Sequence, residues 1–520
     1  MNKILQISVI FLVLSFQLFP KVKLASLFTD NSVLQRNKII NIWGEADSGE
    51  KIIVSLCSQT KNTIADASNN WLVKLDPMVA GGPFELKINE IILKNILIGE
   101  VWLCSGQSNM GLTVKNAANG MEEIANADYP MIRLFSVKTS MMDTEQFYCK
   151  GNWVECSPKT VGNFSAVAYY FGRELFNELK IPVGLIQSCV GGTAAECWID
   201  KKVLKSDNLF KPILNNWDEK IKNYTSEFSL FKKNYKSLIE KWMVDSAAAA
   251  NDGRMPPRKP SEPDGPGSRN TPSGFYNGMI APLIPYTIQG VIWYQGEANA
   301  KRPQQYRRLF PALIKSWREK WRLGDFPFYY VQLPNLNREP EPSKSGWAEL
   351  RESQLMCLNV PNTGMVTTID IGESLNLHPK NKQEVGRRLA LIAESKLYNN
   401  KNYYSGPVFK SMKIDGSIIR LTFDNIANGL IAKGSDIISG FIIASDNKKF
   451  LQAEAKIEGN EILVWNKNIK SPKAIRYAWA DDPKCNLYNS ALLPASPFRT
   501  DDWSGIKEEY GSNFNKEIKK

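Results

Sequence analysis

The fold of this chain is decided by residues 96–110, whose sequence is ILIGEVWLCSGQSNM. The first nine residues are almost continuously apolar, which is typical of a strand buried on both faces of a parallel sheet. Gly106 permits a tight turn after that strand, and Ser108 then stands where a helix begins. Backbone N–H groups at a helix start stabilise a developing oxyanion, so Ser108 is a candidate nucleophile. An ordinary serine N-cap would give the same pattern.

The chain after residue 96 alternates between buried strands and helices, which predicts a three-layer α/β/α domain with a parallel sheet over residues 96–400. Further strand-like runs are Val183–Cys189, Gln289–Tyr294, Phe328–Leu333 and Met365–Ile371, and helical patterns cover Ser165–Leu179 and Glu384–Leu397. An insertion over about residues 201–273 interrupts this alternation. It consists of a charged helical segment, Asn208–Ala250, and a segment rich in proline and glycine, Asn251–Ser273. We expect the insertion to cover the domain from outside, with Trp217, Leu230 and Tyr235 among its anchors.

Short strand-like runs flank this domain on both sides. Residues 21–95 contain several runs rich in β-branched residues, such as Lys51–Leu56, and residues 401–505 contain others, such as Glu461–Trp465. Turn residues separate these runs, which predicts antiparallel β structure in both segments. Residues 506–520 form a charged tail.

The N-terminus carries an export pattern. A short charged start precedes the apolar stretch Ile4–Phe19, and this pattern is typical of a secretory signal peptide, which we place at residues 1–20. An uncleaved anchor is the alternative. No other segment is long and apolar enough to span a bilayer, so we expect an exported chain, periplasmic or extracellular, without stable membrane insertion after signal removal.

Composition excludes several classes of protein. The net charge of +12 comes from scattered lysines without a nucleic-acid-binding motif, so we expect no nucleic acid partner. Eight cysteines are too few for a disulfide scaffold. Cys149 and Cys156 could form a bridge in an exported chain. No cysteine spacing indicates a zinc site, and we expect no metal.

The chain contains one histidine, His378, which follows the strand-like run Met365–Ile371. A lone histidine is more often a surface or core residue than a catalyst. Other polar motifs, however, also follow predicted strands: Gly191-Gly192-Thr193 and the segment containing Gln295 and Glu297. Because the carboxyl ends of parallel strands meet at one edge of the sheet, these motifs supply the parts needed for acyl transfer.

These motifs together resemble the sialate O-acetylesterase family, SGNH-type serine carbohydrate esterases related to acetylxylan esterases. The matching segments are Leu27–Arg36, Ile42–Gly44, Gly106–Met110, Gly191–Thr193, Phe275–Met279, Trp293–Asn299, Pro327–Pro334 and His378–Leu389. The resemblance covers nearly the whole exported chain. It implies an SGNH-hydrolase-like domain, an accessory β-sandwich built from the N- and C-terminal segments, and no metal or organic cofactor.

The resemblance also implies roles for individual residues. Ser108 would be the nucleophile and His378 the base that activates it. The oxyanion would be held by the Ser108 N–H, the N–H of Gly192 or Gly191, and the Gln295 side chain.

The third member of the triad departs from the usual pattern. Leu375 and Asn376 stand where an aspartate is expected before His378. Because related acetylxylan esterases use the glutamate of the Trp293–Asn299 motif, the resemblance implies Glu297 as the acid that orients His378, with Asp370 and Glu373 as alternatives.

The function that these observations favour is that of a secreted serine esterase. It would remove O-acetyl groups from a carbohydrate partner, either sialic acid or a plant polysaccharide such as xylan. A non-catalytic glycan-binding protein on a degenerate hydrolase fold is the main alternative, motivated by Leu375 and Asn376. A lipase or thioesterase of the same fold class is a further one.

Overall fold

The structure is a computed structural model that describes residues 22–253, 256–337, 339 and 341–506. The predicted signal peptide at residues 1–20 lies outside the described residues, as does the predicted charged tail beyond Ile506. Within the described ranges, no helix is long and apolar enough to cross a membrane.

Seven strands form the N-terminal region: β1 (Lys23–Leu24), β2 (Val33–Gln35), β3 (Ile40–Glu45), β4 (Lys51–Leu56), β5 (Gln59–Ile64), β6 (Asn70–Leu75) and β7 (Gly81–Ile88). Strands β1, β3 and β6 make one small sheet. In β4, Ile52, Val54 and Leu56 are buried while Lys51 and Ile53 are exposed. This period of two lets one face of the strand pack into the core and the other meet water.

The next strand, β8 (Ile91–Gly106), is 16 residues long and belongs to two regions at once. Its first part pairs antiparallel with β7 and parallel with β2. Its second part is the centre of the main sheet. We expected a domain boundary between residues 95 and 96, but the strand runs through that point without interruption.

The main sheet contains six further strands: β9 (Tyr129–Ser136), β10 (Trp153–Cys156), β11 (Val183–Cys189), β12 (Gly290–Tyr294), β13 (Phe328–Val331) and β14 (Thr363–Val366). Their order is β10-β9-β11-β8-β12-β13-β14. All neighbours pair in parallel except β10, which is antiparallel to β9. The chain leaves β8 towards β9 and β11 on one side and later fills β12 to β14 on the other. The carboxyl end of β8 is therefore at a topological switch point, where open α/β sheets bind ligands.

Eight α-helices accompany the sheet: α1 (Ser108–Gly111), α2 (Gly120–Ala125), α3 (Ala166–Leu179), α4 (Lys201–Ser206), α5 (Lys211–Asn251), α6 (Pro303–Trp321), α7 (Gly346–Met356) and α8 (Lys382–Leu397). Helices α3 and α8 pack on the face that holds Trp102 and Cys104. Helices α6 and α7 pack on the opposite face, with Val101 and Leu103. Both faces of the sheet are covered, as the continuous apolar run predicts.

The long helix α5 differs from the predicted cover. Only Ile213 and Ala249 of this helix are buried, and the expected anchor Leu230 is 59% exposed. The helix instead supports the segment that follows it. Its Lys220 forms an ion pair with Asp264, and Tyr224 lies directly against Gly265.

Ten strands form the C-terminal region: β15 (Val408–Asp415), β16 (Ile418–Asp424), β17 (Leu430–Ala432), β18 (Phe441–Ala444), β19 (Leu451–Gln452), β20 (Glu454–Glu458), β21 (Glu461–Trp465), β22 (Ala474–Tyr477), β23 (Leu487–Asn489) and β24 (Phe498–Arg499). They make three small sheets around a core of their own. Nowhere in the described chain do these strands pair with those of the N-terminal region. The N-terminal strands share the core of the main domain, whereas the C-terminal strands have a separate one; a single accessory sandwich built from both segments stays a prediction.

All eight cysteines lie within the described ranges, and all are free thiols. The bridge that Cys149 and Cys156 could form is absent. Cys156 is buried on β10, whereas Cys149 lies before that strand and its backbone N–H donates to Ser26 Oγ.

Candidate active site

Ser108 is held at the end of β8 by a close approach of two strands. Gly106 has a φ of +134°, and a Cβ there would lie 2.2 Å from the carbonyl oxygen of Tyr294 on β12. The backbone N–H of Gln107 then donates to that same carbonyl at 2.9 Å. Only glycine permits this turn. Helix α1 then begins at Ser108, two residues after the turn.

His378 lies against the serine. Its Nε2 is 2.8 Å from Ser108 Oγ, a distance at which the imidazole can take the hydroxyl proton. The ring is half-buried, and burial, followed by the charge of Lys382, lowers the pKa of His378 from its ordinary value of 6.5. The imidazole is therefore neutral at neutral pH, as a general base must be.

The loop that carries His378 is held by its own side chains. The His378 backbone N–H donates to Asn376 Oδ1 at 3.0 Å. Asn376 Nδ2 in turn donates to one oxygen of Glu373, and the Lys380 backbone N–H donates to the other. Leu375, at the position where an aspartate was expected, is 55% exposed. Asn376 and Glu373 therefore shape the loop and have no described contact with the ring.

Glu297, the predicted orienting acid, is described with a hydrogen-bond partner other than the imidazole. It lies buried in the turn after β12, and its Oε1 accepts a hydrogen bond from Asn109 Nδ2 at 2.5 Å. Among the described residues, no hydrogen bond joins Glu297 to the His378 ring. Burial raises the pKa of Glu297, against the opposing effects of the Asn109 bond and the Lys382 charge.

The alternative acid Asp370 is also occupied elsewhere. Its two oxygens accept from Nη1 and Nη2 of Arg388, each at 2.8 Å. Arg388 lies on helix α8, and its bidentate pair with Asp370 has the geometry in which arginine binds carboxylates best. This contact leaves Asp370 as an anchor for α8.

Two glycines lie against the serine from the end of β11. A Cβ at Gly191 would be 3.3 Å from the Ser108 Cβ. Gly192 has a φ of +75°, in the left-handed region. Thr193 closes this turn by donating its hydroxyl to the Val190 carbonyl. The backbone of this turn is thus close enough to offer N–H groups to a group bound at Ser108.

Gln295 supports that turn instead of facing a ligand. Its side chain is completely buried, and its Nε2 donates to the Thr193 carbonyl at 3.2 Å and to Asn299 Oδ1 at 2.7 Å. An amide nitrogen has two N–H donors, and both are engaged. Neither N–H group of Gln295 is therefore free for an oxyanion in this structure, and the role of this side chain as a donor stays a prediction.

Three residues without a predicted role complete the site. Asn109 follows the serine, and Lys382, four residues after the histidine, donates from Nζ to Asn109 Oδ1 at 2.6 Å. The signal that could have identified them is their position in the sequence, since Asn109 lies in the Gly106–Met110 motif and Lys382 in the His378–Leu389 motif. A third, Arg269 of the insertion, donates from Nη1 to the Gly191 carbonyl at 3.4 Å.

The serine and histidine open into a cleft of about 460 Å³. Its lining residues are Ser108, Gly111, Leu112, Thr113, Asn116, Thr139, Gln187, Cys189, Val190, Gly191 and His378. A nucleophile with a neutral base beside it and backbone donors nearby can carry out acyl transfer.

Comparisons with known proteins agree with this chemistry. A family model described as "Carbohydrate esterase, sialic acid-specific acetylesterase" matches residues 271–394. The rat (Rattus norvegicus) protein named sialate O-acetylesterase is 30% identical, over 88% of this chain and 90% of its own length. The Homo sapiens protein of the same name is 29% identical, over 92% of both chains. The crystal structure of a carbohydrate acetylesterase from Xanthomonas citri aligns with a TM-score of 0.79 and 33% identity, covering 93% of this chain and 100% of that one.

Proposed function

This chain belongs to the sialate O-acetylesterase family and is a carboxylic ester hydrolase, and from that premise we propose that it removes O-acetyl groups from a carbohydrate through an acyl-enzyme on Ser108. The observation that carries this proposal is the 2.8 Å distance between Ser108 Oγ and His378 Nε2 in the cleft. Nucleophile and base within hydrogen-bond reach are the signature of covalent acyl transfer.

The reaction would proceed in two halves. Ser108 Oγ attacks the acetyl carbonyl carbon while its proton passes to His378 Nε2. The tetrahedral intermediate then expels the sugar oxygen, which takes the proton from His378 and leaves as an alcohol. A water molecule, deprotonated by the same imidazole, attacks the acetyl-serine, and acetate leaves as Ser108 recovers its proton.

We assign the oxyanion donors to the backbone. The first is the Ser108 N–H, which at the start of α1 needs no partner within the helix. The second is the N–H of Gly192 or Gly191, since that turn lies against Ser108. One such donor is typically worth about 2.7–4 kcal/mol of barrier.

Glu297 would act on the histidine through Asn109 rather than by touching the ring. Asn109 Nδ2 donates both to Glu297 and to the carbonyl of Leu377, the residue before His378, at 3.0 Å. We therefore propose Ser108 and His378 as the reacting pair, with Glu297 as a support for the loop.

Replacing Glu297 by glutamine is expected to lower kcat for 4-nitrophenyl acetate by less than about tenfold, because the new side chain keeps an oxygen that accepts from Asn109. A direct triad acid would cost about 10⁴-fold on the same change. Kinetics and the Tm of Glu297→Gln measure this, with Asp370→Asn as a comparison that should lower Tm more than kcat. A thousandfold loss of kcat at unchanged Tm would identify Glu297 as the partner of the ring.

The position of Arg269 is the basis for proposing which sugar carries the acetyl group. This exposed guanidinium sits on the glycine turn beside Ser108 and has only the Gly191 carbonyl as a described hydrogen-bond partner. Arginine binds carboxylates in a bidentate manner. Sialic acid carries a carboxylate and acetylated xylan backbones do not, so we propose O-acetylated sialic acid as the substrate.

Acetate release should therefore be faster from O-acetylated sialic acid than from acetylated xylan. In Arg269→Gln, kcat/KM for the sialic acid ester should fall by about 10- to 100-fold, the usual effect of losing a hydrogen bond to a charged group. Hydrolysis of 4-nitrophenyl acetate should stay within about twofold, because this ester has no carboxylate to bind. Arg258→Gln, in an exposed part of the same segment, is the matched control. Equal losses on both esters, or a wild-type preference for xylan, would contradict the assignment.

Export is proposed on the sequence pattern of residues 1–20, a charged start followed by an apolar stretch. An exported esterase would meet its glycan substrate outside the cytoplasm.

A further inference from the structure

Lys382 is a buried lysine next to Asn109, the residue that follows Ser108. It is 1% exposed at the first position of α8. Its Nζ donates to Asn109 Oδ1 at 2.6 Å and lies 5.1 Å from the centre of the Tyr294 ring. Lysines are almost never fully buried unless they are paired. The burial of Lys382 therefore requires an explanation beyond its place in helix α8.

Asn109 is the point where three parts of the site meet. Its oxygen accepts from Lys382, and its Nδ2 donates to Glu297 and to the Leu377 carbonyl. Because Asn109 follows Ser108 and Leu377 precedes His378, these bonds tie the nucleophile to the loop of the base. With both N–H groups and the oxygen used, losing the Lys382 donor leaves Asn109 with a buried, unpaired oxygen.

We propose that Lys382 is a positioning residue of this site, which holds the Ser108 and His378 loops together through Asn109 and places a positive charge near the imidazole. The proposal rests on the esterase function proposed above. Lys382 itself does not contact the reacting atoms.

The charge acts in one direction. An ammonium group near an imidazole repels the imidazolium form, so Lys382 and burial both lower the pKa of His378. Burial brings the pKa of Lys382 to about 7, against the attraction of Glu297 and Glu373. Lys382 is therefore mostly charged below neutral pH, the range in which His378 would otherwise take up a proton. Other titratable or charged groups on the elements around His378 include Cys189 at the end of β11, Glu297 after β12, Arg269 on the insertion, and Glu373 and Lys380 on its own loop. On α8, Glu384 pairs with Arg387 and Arg388.

Two substitutions separate the bond from the charge. Lys382→Gln removes the charge and keeps an N–H donor for Asn109. Lys382→Met removes both at similar length. Lys380→Gln is the matched control, because Lys380 loses the same charge from an exposed position on the same loop.

The protein's single histidine allows a direct measurement. NMR of protein labelled with ¹³C-histidine, free of a histidine tag, follows His378 alone through a pH titration, and kcat/KM for 4-nitrophenyl acetate is measured over the same range. The wild-type pKa should lie below the ordinary value of about 6.5. Both Lys382 variants should raise it by roughly half a unit or more, with an equal shift of the acid limb of kcat/KM.

The value of kcat at high pH measures the positioning role of Lys382. Lys382→Gln should keep kcat within about tenfold, whereas Lys382→Met should lose about 100-fold, the effect of small misplacements in an active site. Lys380→Gln should change neither quantity. An unchanged His378 pKa in Lys382→Gln, or equal kcat in all three variants, would overturn the proposal. Wild-type protein without Ser108-dependent hydrolysis would instead refute the esterase function, and the NMR titration does not depend on that activity.

Discussion

Replacing Ser108 by alanine is expected to lower kcat/KM for 4-nitrophenyl acetate by about 10⁴-fold or more, because no oxygen remains on which the acyl-enzyme can form. The Tm should be unchanged, since the substitution removes one half-buried hydroxyl. Hydrolysis above the rate in water should persist at a low level through the backbone donors. Initial rates and thermal unfolding of both proteins measure these expectations.

Ser105→Ala provides a matched comparison from β8, the strand that leads to Ser108. Ser105 donates its hydroxyl to the Ser188 carbonyl inside the core, so its loss should lower Tm while leaving most of kcat. If the wild type and Ser108→Ala hydrolysed the ester equally, Ser108 would not be the nucleophile. The interpretation as a non-catalytic glycan-binding protein would then be favoured.

Replacing His378 by alanine should cost a similar factor, about 10⁴-fold or more in kcat/KM at neutral pH. The chain has no second imidazole to accept the serine proton. The fold should persist, because the loop is held by Asn376 and Glu373 through backbone contacts that alanine retains. Kinetics and Tm of the variant test this.

Added imidazole distinguishes loss of the base from damage to the loop. It should restore part of the activity of His378→Ala, because a vacated ring site next to Ser108 can admit it, and none of the activity of Ser108→Ala. The double variant should be no worse than either single one, since the two residues act as a unit. Additive losses, or a His378→Ala variant with more than about a tenth of wild-type activity, would contradict the assignment.

The strand β8 illustrates what patterns in the sequence reveal about the fold. Its burial alternates over residues 91–95 and becomes continuous from Ile96. The change of pattern identified the buried strand of the main sheet. It also suggested a boundary, because a strand that is half-exposed in one region and fully buried in the next reads as two elements. The pairing partners β2 and β7, which reveal the continuity, are not contained in the local pattern.

In the active site, too, some features could be predicted from the sequence and others could not. Ser108, His378 and the glycine turn could be located because the ends of parallel strands meet at one edge of the sheet. The roles of Gln295 and Glu297 could not be read in this way. Their partners, Thr193 and Asn109, lie 102 and 188 residues away in the chain, and which side chains pair in a buried network depends on packing that no spacing rule describes.

The continuity of β8 leaves the molecule without a joint between its N-terminal region and its cleft. Domains connected by a flexible linker reorient by default, but here 16 residues of one strand, roughly 50 Å of backbone, run from the first sheet to the turn before Ser108. The continuous strand therefore gives the N-terminal region a fixed orientation relative to Ser108.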